Sequence, residues 1–159
     1  MRDLGRDERV LAWARLIDGR TVIATQHGLW LPAGAGMRQV PWHLIDKATW
    51  RGGVLEVVEA DEVEPGVVED RRPLPLTLAE PRDLPPVVRA RVIRSVAYTA
   101  HHPLPAGGGV RVVGRRVSGQ DGLSWVVRFD RGADRADPAM LAVADELVAQ
   151  AKGLAGVPE

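Results

Sequence analysis

The first sixty residues alternate apolar runs with turn residues. Arg9 to Ile17 (RVLAWARLI) and Thr21 to Leu31 (TVIATQHGLWL) are apolar and β-branched enough to predict two strands. Asp18-Gly19 between them is the pair a two-residue type I′ hairpin turn favours, because both central positions need positive φ. After the break at 32–36 (PAGAG), Met37 to Ile45 (MRQVPWHLI) returns to a strand rhythm, and Pro41, which cannot donate to a ladder, predicts an edge or an interruption. Lys47 to Trp50 and Val54 to Val58 flank Arg51-Gly52-Gly53 and predict a second hairpin. An antiparallel meander follows.

Residues 61–75 are acidic and punctuated by Pro65, Gly66, Pro73 and Pro75, which predicts a long loop, with one short strand recovered over 73–78. A helix is then predicted over 84–99. Asp83 is placed to cap it, Pro85 falls where no amide is needed, and Val88, Val92 and Val96 recur every four residues. His101 to Gly109 (HHPLPAGGG) should end it, with His101 and His102 at the negative end of its dipole. Val110 to Val117 and Leu123 to Phe129 predict another hairpin. Asp137 as cap, Pro138 at the first helical position and the stripe Met140, Val143, Ala144, Leu147, Val148 and Ala151 predict a final helix that stops near Gly153. The expected fold class is α+β, divided into a meander over 1–80 and a helix, hairpin and helix over 81–159 that pack with it as one unit.

Composition narrows the function classes. With 159 residues, 45% hydrophobic and 26% charged, the chain has the make-up of a folded globular protein. A chain of this length buries about 68–70% of its unfolded surface. The absence of cysteine excludes disulfides and thiolate metal sites. No run resembles a signal peptide or the roughly 18 apolar residues of a membrane span, so a cytoplasmic location is expected. The formal net charge is zero, but the signs are segregated. Glu56, Glu59, Asp61, Glu62, Glu64, Glu69 and Asp70 crowd residues 54–70 without a base, whereas residues 71–131 are rich in arginine. The two segments are expected to offset each other, leaving little long-range field for nucleic acid.

No catalytic pattern emerges. The four histidines, His27, His43, His101 and His102, match no paired metal-ligand spacing, and no metal or cofactor is expected. None of the three serines, Ser95, Ser118 and Ser124, sits in a nucleophile-elbow pattern. The acidic run lacks the spacing of a calcium loop. Gly107 to Gly109 precede a strand, the reverse of a phosphate-binding loop, and are read as a turn.

Trp13, Trp30, Trp42 and Trp50 all fall in the meander. They are expected in its core, or lining one pocket where two of them are exposed. The arginines fall into two groups, Arg89, Arg91 and Arg94 on the first helix and Arg111, Arg115, Arg116 and Arg128 on the later hairpin. Strand alternation puts Arg111 and Arg115 on one face and Arg116 on the other. Guanidinium forks suit phosphate and carboxylate alike.

One resemblance is carried by Glu8-Arg9-Val10-Leu11-Ala12-Trp13, then Ala24-Thr25 with Gly28-Leu29-Trp30-Leu31, then Val40-Pro41-Trp42 with Leu44-Ile45, then Val54-Leu55-Glu56-Val57. Over roughly residues 8–60 this rhythm resembles a bacterial pleckstrin-homology-like domain, and the abundance of arginine, glycine and alanine is similar to that of actinobacterial proteins. The resemblance implies a meander curled into a half-open barrel and closed by a helix, in a family of mostly binding modules. A helix over 84–99, ahead of the last hairpin, departs from that order.

The function expected is therefore a non-catalytic binding or scaffold module with a protein partner, acting through Trp30, Trp42, Arg89, Arg111, Arg115 and Arg128. Binding of RNA through the arginine-rich helix and hairpin is the alternative. A small hydrolase using His43 or His27 beside a carboxylate ranks third.

Overall fold

The computed structural model describes residues 7–155. In chain order their strands are β1 (Val10–Leu16), β2 (Thr21–Thr25), β3 (Gly28–Ala33), β4 (Gly36–Pro41), β5 (Ile45–Arg51), β6 (Val54–Glu64), β7 (Val67–Asp70), β8 (Leu74–Glu80), β9 (Val96–Pro103), β10 (Gly109–Arg116) and β11 (Leu123–Phe129). The helices are α1 (Leu84–Ser95) and α2 (Pro138–Leu154), and a short 3-10 turn spans Trp42–Leu44. The class is α+β, as expected. No helix among the described residues is long and apolar enough to cross a membrane.

Packing divides the chain into two compact units, the first comprising 7–60 and 70–95, the second 61–69 and 96–155. This partition does not fall at residue 80. Helix α1 goes with the meander, because Leu84, Val88 and Val92, one turn apart on one face, all lie in the meander's core cluster. Strand β6 serves both units, its first seven residues in one and its last four in the other.

In the first unit the strands follow the order β4-β3-β2-β1-β8-β6-β5, each neighbouring pair antiparallel. Strand β1 shows how sequence selects the faces. Ala12, Ala14 and Leu16 are buried while Trp13, Arg15 and Ile17 alternate outward. The core adds Val22, Leu29, Leu31, Ile45, Leu55 and Val57.

Several local expectations change here. At the first hairpin only Gly19 has positive φ (93°), so the turn is not type I′, and Leu16 N–H closes a longer loop onto the Arg20 carbonyl at 2.7 Å. The type I′ requirement is met instead at Gly52 and Gly53 (φ 58° and 79°), between β5 and β6. The run 21–31 splits at Gln26-His27 into β2 and β3. Gly28 opens β3 because a Cβ there would lie 2.5 Å from the Val40 carbonyl oxygen. The run 37–45 breaks after Pro41, which ends the edge strand β4.

The acidic segment is no long loop: β6 continues through Glu64, and β7 follows the Pro65-Gly66 turn. Its charge is offset locally. Arg135 approaches Glu69 at 2.7 Å and Glu64 at 3.8 Å within the second unit, and Arg38 binds Glu59 within the first. Helix α1 stops at Ser95, whose hydroxyl donates to the Val92 carbonyl at 2.7 Å, and Val96 begins β9. His101 and His102 therefore lie on a strand and cap no helix.

In the second unit β9, β10 and β11 form an antiparallel sheet, and β7 joins β11 in parallel through the Val67–Val127 pair. Helix α2 packs on it with Met140, Ala144 and Ala151 buried against Val110, Val112 and Val127. The predicted start holds: the Asp137 carboxylate accepts from Ala139 N–H at 2.9 Å, with Pro138 at the first position.

Candidate binding groove

The β5–β6 hairpin projects Thr49 opposite Glu56 and Arg51 opposite Val54, while Trp50 on the alternate face packs toward the core. Helix α1 packs against β5 and carries Arg89 on its exposed side. Together Thr49, Trp50, Arg51, Val54, Glu56 and Arg89 line an open groove of about 520 Å³. Among the described residues neither guanidinium has a hydrogen bond or ion pair, and neither does Glu56. Two unengaged forks against one carboxylate leave a positive balance at the groove wall. A planar indole beside them supplies apolar contact. Such a set suits a carboxylate or phosphate carried on an apolar or aromatic body.

A further cationic cluster lies in the same unit. Burial, then the neighbouring charges of Arg94 and Arg9, lower the pKa of Arg91 from the usual arginine value.

The other expected site residues are distributed differently. Trp30 and Trp42 are 8% and 4% exposed. The Trp30 indole donates to Glu8 at 3.0 Å and that of Trp42 to the Thr25 carbonyl at 2.9 Å, so both are committed inside the unit. The Glu8 oxygen also accepts from the Thr25 hydroxyl at 2.7 Å and from the Gln39 amide, which ties the residues ahead of β1 to β2, β3 and β4. Trp13 is the exposed member of the set, with the Arg82 guanidinium 4.5 Å from its ring centre.

In the second unit Arg111 is exposed and pairs across the strands with Arg128. Arg115 is only 6% exposed and lies next to a register shift against β9, so it does not share a free face with Arg111. Arg111 donates to Thr99 and Arg116 to the Val96 carbonyl, each at 3.3 Å. His101 meets Asp130 at 2.8 Å above Gly109, where a Cβ would strike both side chains. Gly109 thus has a steric role that the reading of the glycine run as a simple turn did not include.

Of the expected site residues only Arg89 lines the groove. Trp50 was among the tryptophans expected in the core or lining one pocket, whereas Arg51 was missed, although its position beside a Gly-Gly turn was visible and a turn presents its flanking side chains together. No group of three or more metal-ligating side chains converges among the described residues. No family model, no curated protein and no solved structure matches the chain.

Proposed function

We propose that the chain is a non-catalytic binding module whose first unit is a pleckstrin-homology-like half-barrel, and that it receives an acidic group of a protein partner between Arg51 and Arg89. The carrying observation is that both guanidiniums flank one groove with no partner of their own among the described residues. The strand order β4-β3-β2-β1-β8-β6-β5 followed by a helix whose apolar stripe enters the core supports the half-barrel assignment. On that assignment α1 is the closing helix, and the residues from Val96 onward come after the module rather than interrupting it.

The test is capture from an extract of the native cell at low and moderate salt, with and without nuclease, by the full chain and by the double variant Arg51→Ala/Arg89→Ala. A protein retained whatever the nuclease treatment and lost with the double variant is the expected outcome. Equal retention by the double variant would remove the groove from the proposal.

RNA binding is a second reading, favoured by the exposed arginines Arg89 and Arg94 on α1. It requires recovery of nucleic acid that falls steeply with salt.

A further inference from the structure

Asp-Gly occurs twice in the chain, as Asp18-Gly19 between β1 and β2 and as Asp121-Gly122 between β10 and β11, and the sequence contains no asparagine. Glycine has no side chain to shield its amide nitrogen, so at Asp-Gly that nitrogen can attack the aspartyl Cγ. The attack needs a protonated carboxyl, whose hydroxyl leaves as water. It also needs a carboxyl free to swing over the main chain and an amide nitrogen not held elsewhere.

The first turn opposes each of these. Gly19 N–H donates to the Leu16 carbonyl at 2.9 Å. Asp18 Oδ1 accepts from Arg20 N–H at 3.0 Å, and Oδ2 accepts from Arg20 Nε at 2.8 Å. Led by the bond from the Arg20 side chain, these contacts lower the Asp18 pKa below the usual aspartate value and deplete the protonated form. An exposed ion pair adds little stability by itself. Here its effect is to fix the carboxylate on Arg20.

The second turn carries no such restraint. Asp121 and Gly122 are both exposed, and among the described residues neither has a hydrogen bond or ion pair. The turn closes before them, through Gln120 N–H to the Val117 carbonyl at 3.1 Å, and the β10–β11 ladder begins after them, at Leu123 opposite Arg116. Gly19 and Gly122 share positive φ, 93° and 80°, so the conformation of the glycine does not separate the two sites.

We propose that Asp121-Gly122 is a site of spontaneous isoaspartate formation in the folded protein, and that Asp18-Gly19 is protected from it. The Gly122 nitrogen forms a bond to Asp121 Cγ, the carboxyl hydroxyl leaves as water with the amide proton, and a five-membered imide closes. Water then opens the ring. Addition at Cγ restores the aspartate, whereas addition at the main-chain carbonyl carbon leaves the chain running through Cγ with the α-carboxylate as the side group. One water is lost and one regained. The product lengthens the main chain by a methylene just ahead of Leu123, and the reaction is independent of the function proposed for the first unit.

The full chain is aged at physiological temperature and mildly acid pH, both folded and in concentrated urea, and then digested with trypsin. Cleavage after arginine places Asp18 in residues 16–20 and Asp121 in residues 117–128. Isoaspartate in each peptide is read by chromatographic retention and by labelling with an isoaspartate-specific methyltransferase. In the folded chain the product at Asp121 is expected to exceed that at Asp18 by roughly fivefold or more, because a hydrogen bond of ordinary net strength must break before Gly19 reacts. In urea the ratio should fall toward unity. Asp121→Glu, whose longer side chain would have to close a six-membered ring, should remove most of the label from the folded chain. Equal product at the two sites in the folded chain, a ratio that urea leaves unchanged, or undiminished labelling of Asp121→Glu would overturn the proposal.

Discussion

Arg38 and Glu59 form a two-pronged ion pair, Nη1 to Oε1 at 2.8 Å and Nη2 to Oε2 at 2.7 Å, which ties the edge strand β4 to β6 across strands that do not pair with each other. Glu59 is buried, whereas the Arg38 side chain is 42% exposed. The fork geometry gives the bond direction as well as charge. The hydrogen bonds from Arg38, then its charge and that of Arg71, outweigh burial and hold the Glu59 carboxyl below its ordinary value. A carboxyl with a lowered folded-state pKa stabilises the fold above its unfolded value, and that contribution is lost as pH falls through the folded value. Solvent around Arg38 screens part of it.

Glu59→Gln should therefore lower stability at pH 7 by roughly 1–2 kcal/mol, and the gap to the parent chain should close progressively below the usual glutamate range. Urea midpoints of both proteins across pH 7 to 3 check this. A constant gap over that range would mean that the pair contributes through packing rather than charge.

Helix α1 should prove integral to the first unit. Leu84 is fully buried in the core shared with β1–β6, and Leu84→Ala should cost about 2–5 kcal/mol. Ile93, on the same helix but 68% exposed, should tolerate alanine within about 0.5 kcal/mol. Chemical denaturation of the two variants distinguishes a packed helix from a linker. Similar small effects for both would argue against its place in the core.

Two glycines that both lack room for a Cβ should respond differently to alanine. At Gly28 the obstacle is the Val40 carbonyl oxygen and the Pro41 backbone, which cannot step aside, and Gly28→Ala should cost roughly 1–3 kcal/mol or more. At Gly109 the obstacles are the tips of His101 and Asp130, both about 40% exposed. Those side chains can rotate away at the cost of a surface ion pair, so Gly109→Ala should cost no more than about 1 kcal/mol. Thermal melts of the two variants provide the comparison.

Much of the fold was legible because local chemistry was decisive. Asp137-Pro138 and the stripe from Met140 to Ala151 specified α2, and Arg51-Gly52-Gly53 specified a hairpin. The failures share a cause, namely local patterns that fit two structures until tertiary packing selected one. Val92, Ile93 and Val96 satisfy a helical period, but Val96 begins a strand whose half-buried Tyr98, Ala100 and His102 alternate with exposed neighbours. Residues 61–70 were too acidic to suggest strands, and the ion pairs that Arg135 makes to Glu64 and Glu69 are part of how the charge is tolerated. The candidate groove was hardly legible at all. It depends on Arg51 of a hairpin and Arg89 of a helix, 38 positions apart in the sequence, and no periodicity within either element reports that their arginines share a wall.

That wall yields the last prediction. Arg51 and Arg89 hold no partner within the described chain, so replacing both removes no internal interaction. The double variant Arg51→Ala/Arg89→Ala should keep the parent's denaturation midpoint to within about 0.5 kcal/mol, while binding of an acidic ligand weakens. Each fork that pairs with a carboxylate should contribute a charge-assisted hydrogen bond of about 1.5–3 kcal/mol, so the loss should reach tenfold or more. The direct measurement is tryptophan emission during titration with a glutamate-rich peptide carrying no aromatic residue, since Trp50 lines the groove and reports its occupancy. Parent chain and double variant should differ in affinity at low salt and converge as salt rises, because the lost interaction is between charges. A stability loss in the double variant would show instead that these arginines serve the fold, and the groove would then have no claim to a ligand.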